Sequence, residues 1–449
     1  MRAGLRYLVM IRLFSAILFL LLLAACSKGT ALDGSRPLIV GISSQNYYDK
    51  HYRDYFETAF PKMKIQLVAM NPNHTGVSAD AMRKRIMREE PDLVIMDSEQ
   101  YAELAGSRLF EDLSPRMKNN GMDEKDYYPG MLEWLREDGG GTLFGLAPTF
   151  RASVLAYNKD LFAKYRIEPP RENMTISEVF SLGARFQQVG SSEDGIVGYN
   201  QSGSSMPYST LMDLAANTGL QPVSYRAKEV TINSPQWRSM LIEVTRLYQN
   251  SSMIMKEIMP RYVNSVPYFD EELAEKASLF KKGKAAMTLL DYASVKPYRE
   301  FLPLDVLTPV VSAADMSRSD SIRLGDVMAI RKNSRYADDA WEVIAFMMSE
   351  HMAKVRANLN SHEGLPTNKS FIKYSGDPLV AEIFELMPAR QPVDTNDQMD
   401  ILTFRHKFAN LVNREMLLAI KANKSIDLVL LTIQKEGKEL MEAASYKYR

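Results

Sequence analysis

Residues 144–170 leave the chain few ways to fold. Gly145 and Pro148 interrupt an apolar segment, residues 153–157 form a β-prone run, and Asn158-Lys159-Asp160 turns the chain into a short helix that Pro169 and Pro170 stop. A strand that passes through a sharp turn into a helix is the repeating step of an α/β fold.

The segments upstream repeat that step. Residues 38–42 read as a short buried strand, Tyr52, Tyr55, Phe56, Ala59 and Phe60 recur at helical spacing, and residues 64–69 give a second strand. This is a βαβ unit. Ser78 is placed to cap a helix carrying Met82, Ile86 and Met87, which Pro91 ends before the apolar strand 93–96. The alternation predicts a mostly parallel sheet covered on both faces. Asp97, Ser98 and Glu99 then stand at the carboxyl end of a strand, where open α/β sheets place their ligands. The glycines at 139–141 lack dinucleotide-loop spacing and the phosphate-loop lysine, so they read as a hairpin turn.

Further on, Thr175 and Glu178 make a capping box ahead of a helix, and residues 201–207 form a Ser/Gly-containing loop. Helical spacing continues at 210–216, 236–248 and 271–280, a strand is expected at 288–290, and residues 401–444 are mostly helix. Trp134, Trp237 and Trp341 sit on apparent helices as core.

The amino terminus bears on location. Arg2, Arg6 and Arg12 precede an apolar run over 13–25 that is too short to span a bilayer comfortably, so residues 1–25 read as a signal peptide. Cys26, the only cysteine, follows Leu23-Ala24-Ala25, so no disulfide framework or thiolate metal site is available. Residues 26–36 read as a small, polar tether reaching at most about 35 Å. The 449-residue length points to two lobes. Lysine plus arginine and aspartate plus glutamate each number 55, which gives no electrostatic case for nucleic acid as a partner.

Catalytic chemistry finds no constellation here. His51, His74, His351, His362 and His406 show no metal-ligand spacing, and no nucleophile elbow is present. Asp394, Asn396 and Gln398 begin like a calcium loop, but Met399 replaces the turn glycine and Arg405 the bidentate acid. Scattered carboxylates leave a glycosidase pair possible in principle, with none singled out.

Order and spacing along nearly the whole chain resemble a known family. The run G-L-A-P-T-F-R-A-S-V-L-A-Y-N-K-D-L-F before Pro169-Pro170 is similar to the hinge-crossing segment of the family 1 extracellular solute-binding proteins, the sugar-capturing subunits of bacterial ABC importers. P-D-L-V-I-M-D-S-E-Q-Y-A-E-L-A, F-K-K-G-K-A-A-M, G-D-V-M-A-I-R-K-N-S and G-L-P-T also resemble that family, and L-A-A-C resembles a lipobox whose Cys26 is lipidated. The resemblance implies a two-lobe α/β periplasmic-binding-protein-like (class II) fold with a ligand cleft between the lobes. Residues 37–148 plus 312–360 would form one lobe and 149–311 plus 361–449 the other. It implies a monomeric, lipid-anchored, non-enzymatic lipoprotein without cofactor or metal on the extracytoplasmic face of the cell membrane. Such a protein captures a solute, most often a saccharide, and delivers it to ABC permease subunits.

By position the family pattern points to Gln45, Asn46, Asp97, Ser98, Arg151, Asp291, Tyr292, Gly325 and Asp326 as ligand-binding. For Gln45, Asn46, Ser98 and Gly325 loop chemistry is the alternative, for Asp97 a helix cap, for Arg151 an interlobe ion pair, and for Tyr292 half-buried packing. The chain lacks the tryptophan that many sugar-binding relatives carry near Phe280 to Met287, which leaves the solute class open. A sensor-feeding lipoprotein and a secreted glycoside hydrolase remain rival readings.

Overall fold

The computed structural model describes residues 36–71, 79–201, 205–255, 261–263, 266–268, 278–359, 364–389, 394 and 401–446. The leader, Cys26 and nearly all of the tether, the Ser78 cap, residues 202–204 of loop 201–207, His74, His362, Asn396, Gln398 and most of the helix expected over 271–280 lie outside the described residues.

Among the described residues ten strands build the two main sheets. In chain order they are β1 (Leu38–Ile42), β2 (Ile65–Ala69), β3 (Leu93–Met96), β4 (Thr149–Asn158), β5 (Val197–Tyr199), β6 (Ala285–Asp291), β7 (Leu304–Leu307), β8 (Ile322–Leu324), β9 (Val327–Ile330) and β10 (Leu365–Pro366). The first sheet runs β9-β3-β1-β2, with β1 parallel to both β2 and β3 and β9 antiparallel to β3. The second runs β7-β4-β6-β5, and β8 and β10 also pair with β4. Only β5 and β6 are parallel there, so the expectation of a mostly parallel sheet holds for the first lobe and fails for the second. The cause is the length of β4. It extends beyond residues 153–157 to ten residues, and each half has its own antiparallel partners. Residues 149–152 bond to β8 and β10, and residues 153–158 to β6 and β7.

Alternation along β4 separates two cores. Phe150, Ala152, Val154 and Ala156 face a core that continues into the first sheet through Val40, Val94 and Met328. Leu155 faces a second core with Phe180, Leu211, Trp237, Phe404 and Val412, covered by helices Ile176–Gln188, Pro207–Thr218, Pro235–Gln249 and the terminal pair Ile401–Ala422 and Ile426–Tyr446. Trp237 and Trp341 are buried and Trp134 partly so, in line with a core role. At the start of the fold, buried Asp92 accepts from Arg36, from the Ile39 amide and from Ser334, which fastens the chain where the tether ends.

The chain passes between the sheets three times, and the crossings lie side by side. Leu146 and Met328 exchange backbone hydrogen bonds at 3.0 and 2.8 Å, Gly325 N donates to Thr149 O at 2.9 Å, and Thr367 N donates to Pro148 O at 2.9 Å. Gly364 fits here only as glycine: its φ is +97°, and a Cβ would stand 2.5 Å from Phe150 O. β8, expected in the first lobe, hydrogen-bonds to β4 of the second.

Three local readings change. The helix expected over 52–60 forms as Arg53–Ala59, and a further helix not expected, Gln45–His51 capped by Ser44, precedes it with Tyr52 at the joint. The glycines 139–141 make no hairpin but stop helix Pro129–Asp138, with Gly139 N and Gly141 N returning to Leu135 O and Arg136 O. The strand expected at 288–290 is the seven-residue β6. The Thr175–Glu178 capping box forms as read.

Candidate functional site

On the first-lobe side the site grows from the ends of β1, β3 and the crossing at Gly325. Asp97 caps helix Ser98–Leu104: Gln100 N donates to Asp97 Oδ1 at 2.8 Å, and Asp97 N donates to Gln100 Oε1 at 3.3 Å. The cap is therefore one role of Asp97. Its side chain remains exposed, and desolvation, with help from Glu99 and Asp326, raises the carboxyl's pKa. Ser98 opens that helix at partial exposure.

Gly325 lets its strand lie against Thr149, and Asp326 follows it directly. Tyr47 and Tyr52 donate their hydroxyls to Asp326 Oδ2 at 2.9 and 2.6 Å. Burial raises the Asp326 carboxyl against these donors and against His51 and Arg151 nearby, and it pushes the Tyr52 hydroxyl well above its ordinary value. Gln45 and Asn46 are exposed in the first turn of Gln45–His51, and Gln45 Nε2 donates to Asp49 at 2.7 Å. Tyr47, Tyr52 and His51 on the following turns, rather than Gln45 and Asn46, reach Asp326. The sequence pattern did not point to them because it marked Tyr52 only as a core position and gave no sign of the helix Gln45–His51 before it.

On the second-lobe side Arg151 of β4 stands directly opposite Arg323 of β8, both exposed on the face away from Phe150, Ala152, Ile322 and Leu324. Two facing guanidiniums repel, and acids offset them: Asp326 acts on Arg151's side, Asp213 and Asp320 on that of Arg323. Asp213, on helix Pro207–Thr218, is pushed up to about 7 by burial and the Asp320 charge, opposed by Arg323 and a Gln201 donor. Burial pushes Asp320 up to about 6. Arg405 lies 5.4 Å over the Tyr225 ring and donates to its hydroxyl at 3.2 Å. Burial works against the Arg405 charge, but Tyr225 and Glu99, from the opposite lobe, hold its pKa above the usual value. Tyr208 adds a second aromatic beside Tyr225 and Arg405. No short motif announces these residues; they converge only in the fold.

Asp291 and Tyr292 go elsewhere. Asp291, opposite Ser153, caps helix Tyr292–Arg299 by accepting from Ala293 N at 3.0 Å. Tyr292 packs on the core face of β4 and donates to Asp377 Oδ2 at 2.9 Å, on the other side of the sheet from Arg151. Asp377 in turn caps helix Pro378–Glu385. The structure thus brings Asp97, Arg151 and Asp326 toward one cleft and does not bring Tyr292 to it.

Among the described residues no group of histidine, cysteine, aspartate or glutamate is arranged to hold a metal ion. Both oxygens of Asp394, from the calcium-like stretch, accept from the backbone amides of Tyr225 and Arg226 at 2.7 and 2.8 Å. Among the described residues no helix is long and apolar enough to cross a membrane.

Comparison with solved structures returns the same architecture. An extracellular solute-binding protein family 1 member from Alicyclobacillus acidocaldarius aligns with a TM-score of 0.62 at 16% identity, covering 91% of this chain and 100% of its own. The sugar-binding protein MalE from Xanthomonas citri aligns at 0.61 and 15%, covering 91% and 98%. An ABC substrate-binding protein from Listeria monocytogenes, in complex with cycloalternan, aligns at 0.56 and 19%, covering 90% and 98%. The fold is therefore the two-lobe α/β arrangement with a cleft between lobes. No curated protein matches the sequence. The family profile described as bacterial extracellular solute-binding protein matches residues 42–354, well over half the chain, and with the two sheets and three crossings around a polar cleft this makes the chain a member of that family.

Proposed function

We propose that this protein is the substrate-binding lipoprotein of an ABC importer, anchored through lipidated Cys26, which captures a saccharide between its lobes and presents the closed form to a membrane permease. The observation that carries the reading is the three-strand crossing at Thr149, Gly325 and Thr367, with polar groups of both lobes beside it: Asp97, Glu99 and Asp326 on one side, Arg151 and Arg405 on the other. Adjacent crossings allow a small rotation at few residues to move whole lobes. A solute that touches both faces favours the closed state by its differential affinity. The sugar and oligosaccharide titles of related structures, such as the complexes with cycloalternan, acarbose and maltose, support the solute class. We set the lobe limit at Gly325 in place of 312, because β8 belongs to the sheet of β4.

The test has two parts on the mature protein. A thermal-shift screen against saccharides should find a ligand that raises the melting temperature, since binding to the native state alone stabilises it. Solution scattering with that ligand should then show a smaller radius of gyration, and Arg151→Ala should weaken binding. A ligand that binds without compaction defeats hinge closure. Steady release of reducing sugar, abolished by a carboxylate substitution, would make the protein a hydrolase.

A further inference from the structure

The second lobe narrows the chemistry of the solute, an inference that rests on the cleft reading above. Gln201 Nε2 donates to Asp213 Oδ2 at 2.6 Å. Its amide cannot turn over without loss, because Gln201 Oε1 accepts from the Thr210 hydroxyl at 3.0 Å. With the Thr210 proton directed at Gln201, the single Tyr248 proton is shared between Thr210 Oγ1 at 2.8 Å and Ser205 O at 3.0 Å. Gln201, Ser205, Thr210 and Tyr248 are all buried. This chain ties down one oxygen of Asp213 and holds the carboxyl in a fixed orientation; supports of that kind make a binding group rigid.

Neither Asp213 nor Asp320 enters an ion pair with a described residue, and Asp320 meets only its own backbone amide. Arg323 is the cation that acts on both, and its strand register sets it opposite a second cation, Arg151. Two carboxyls, each partly withdrawn from water and sharing one guanidinium between them, carry a desolvation cost that a cation offsets better than a neutral hydroxyl does. On the facing lobe, Asp97, Glu99 and Asp326 add further acidic groups, while the partly exposed Tyr208 is the aromatic ring available to a sugar. We propose that the solute is a saccharide bearing a protonated amine, and that Asp213, with Asp320 beside it, receives the ammonium group.

The probes are glucosamine and its short β-linked oligomers, set against the N-acetylated and plain glucose counterparts, in calorimetric titration of the mature protein at neutral pH. The amine-bearing sugars should bind at least about tenfold more tightly than either neutral series, the scale of one hydrogen bond to a charged group. Asp213→Asn should remove most of that preference while the melting transition stays cooperative, and Asp320→Asn serves as the second variant should the first not fold. Neutral sugars binding equally or more tightly than the amines, or a preference untouched in both variants, overturns this inference and leaves the saccharide reading standing. No response to any saccharide of the three series, with no compaction in scattering, overturns both.

Discussion

Replacing Gly325 with alanine tests whether the crossings are locked as their geometry indicates. A Cβ there would stand 2.4 Å from Thr149 Oγ1, 2.9 Å from Thr149 O and 3.3 Å from the carbonyl carbon. The hydroxyl can rotate away. The carbonyl cannot, because it accepts from Gly325 N at 2.9 Å, and Thr149 is paired with Pro366 on its other side. At an unstrained site glycine-to-alanine stabilises by about 0.4–1 kcal/mol through the unfolded chain, so even the sign of the change is informative. Overpacking costs about 1–3 kcal/mol and a loosened backbone hydrogen bond about 1 kcal/mol more. The net expectation is a loss of about 1–3 kcal/mol after the unfolded-chain gain is subtracted. Urea denaturation followed by tyrosine and tryptophan fluorescence reads it as a lower midpoint at unchanged slope. Thr149→Ala in the same background removes the hydroxyl and leaves the carbonyl, so it should restore only a minor part. A Gly325→Ala protein as stable as the parent, or full rescue by Thr149→Ala, refutes the claim that backbone contact fixes the crossing.

Other consequences are simpler to measure. Tyr292→Phe removes the donor to Asp377 and should cost about 1–2 kcal/mol of stability with solute affinity unchanged, as calorimetry of the variant would show. Asp213 has a folded pKa raised to about 7 from 3.8, so its contribution is fully present below pH 3.8 and is lost as pH rises through about 7. Stability of the parent relative to Asp213→Asn should therefore decline across that window, and a difference that does not vary with pH contradicts the burial of this carboxyl. Cys26→Ser should shift the protein from the membrane to the soluble fraction; a variant that stays membrane-bound after detergent-free washing shows that the anchor lies elsewhere.

Much of the fold was legible because local chemistry and tertiary context agree. β1 and β3 occur at 38–42 and 93–96 as read, since each is an unbroken apolar run following a proline, Pro37 or Pro91. The capping box at Thr175 needs only its own four residues, and Asn158 caps helix Lys159–Tyr165 in the same way. The family pattern of residues 144–170 carried the two-lobe topology, because a strand that crosses and turns at once into a helix has few places to go.

What the sequence alone left undecided is which side of a sheet each polar residue meets. Arg151 and Tyr292 looked like partners, yet strand alternation and the register of Asp291 opposite Ser153 send them to opposite faces of the second sheet. Asp213, Asp320, Arg323 and Arg405 carry no local signal, being scattered polar residues on separate elements. Their proximity exists only once β8 has returned to β4 and the terminal helices have closed the second core. Local sequence determines propensity, caps and turns through neighbours a few residues away. The cleft is made by pairings across a hundred residues or more, whose partners are chosen by sheet register and core packing.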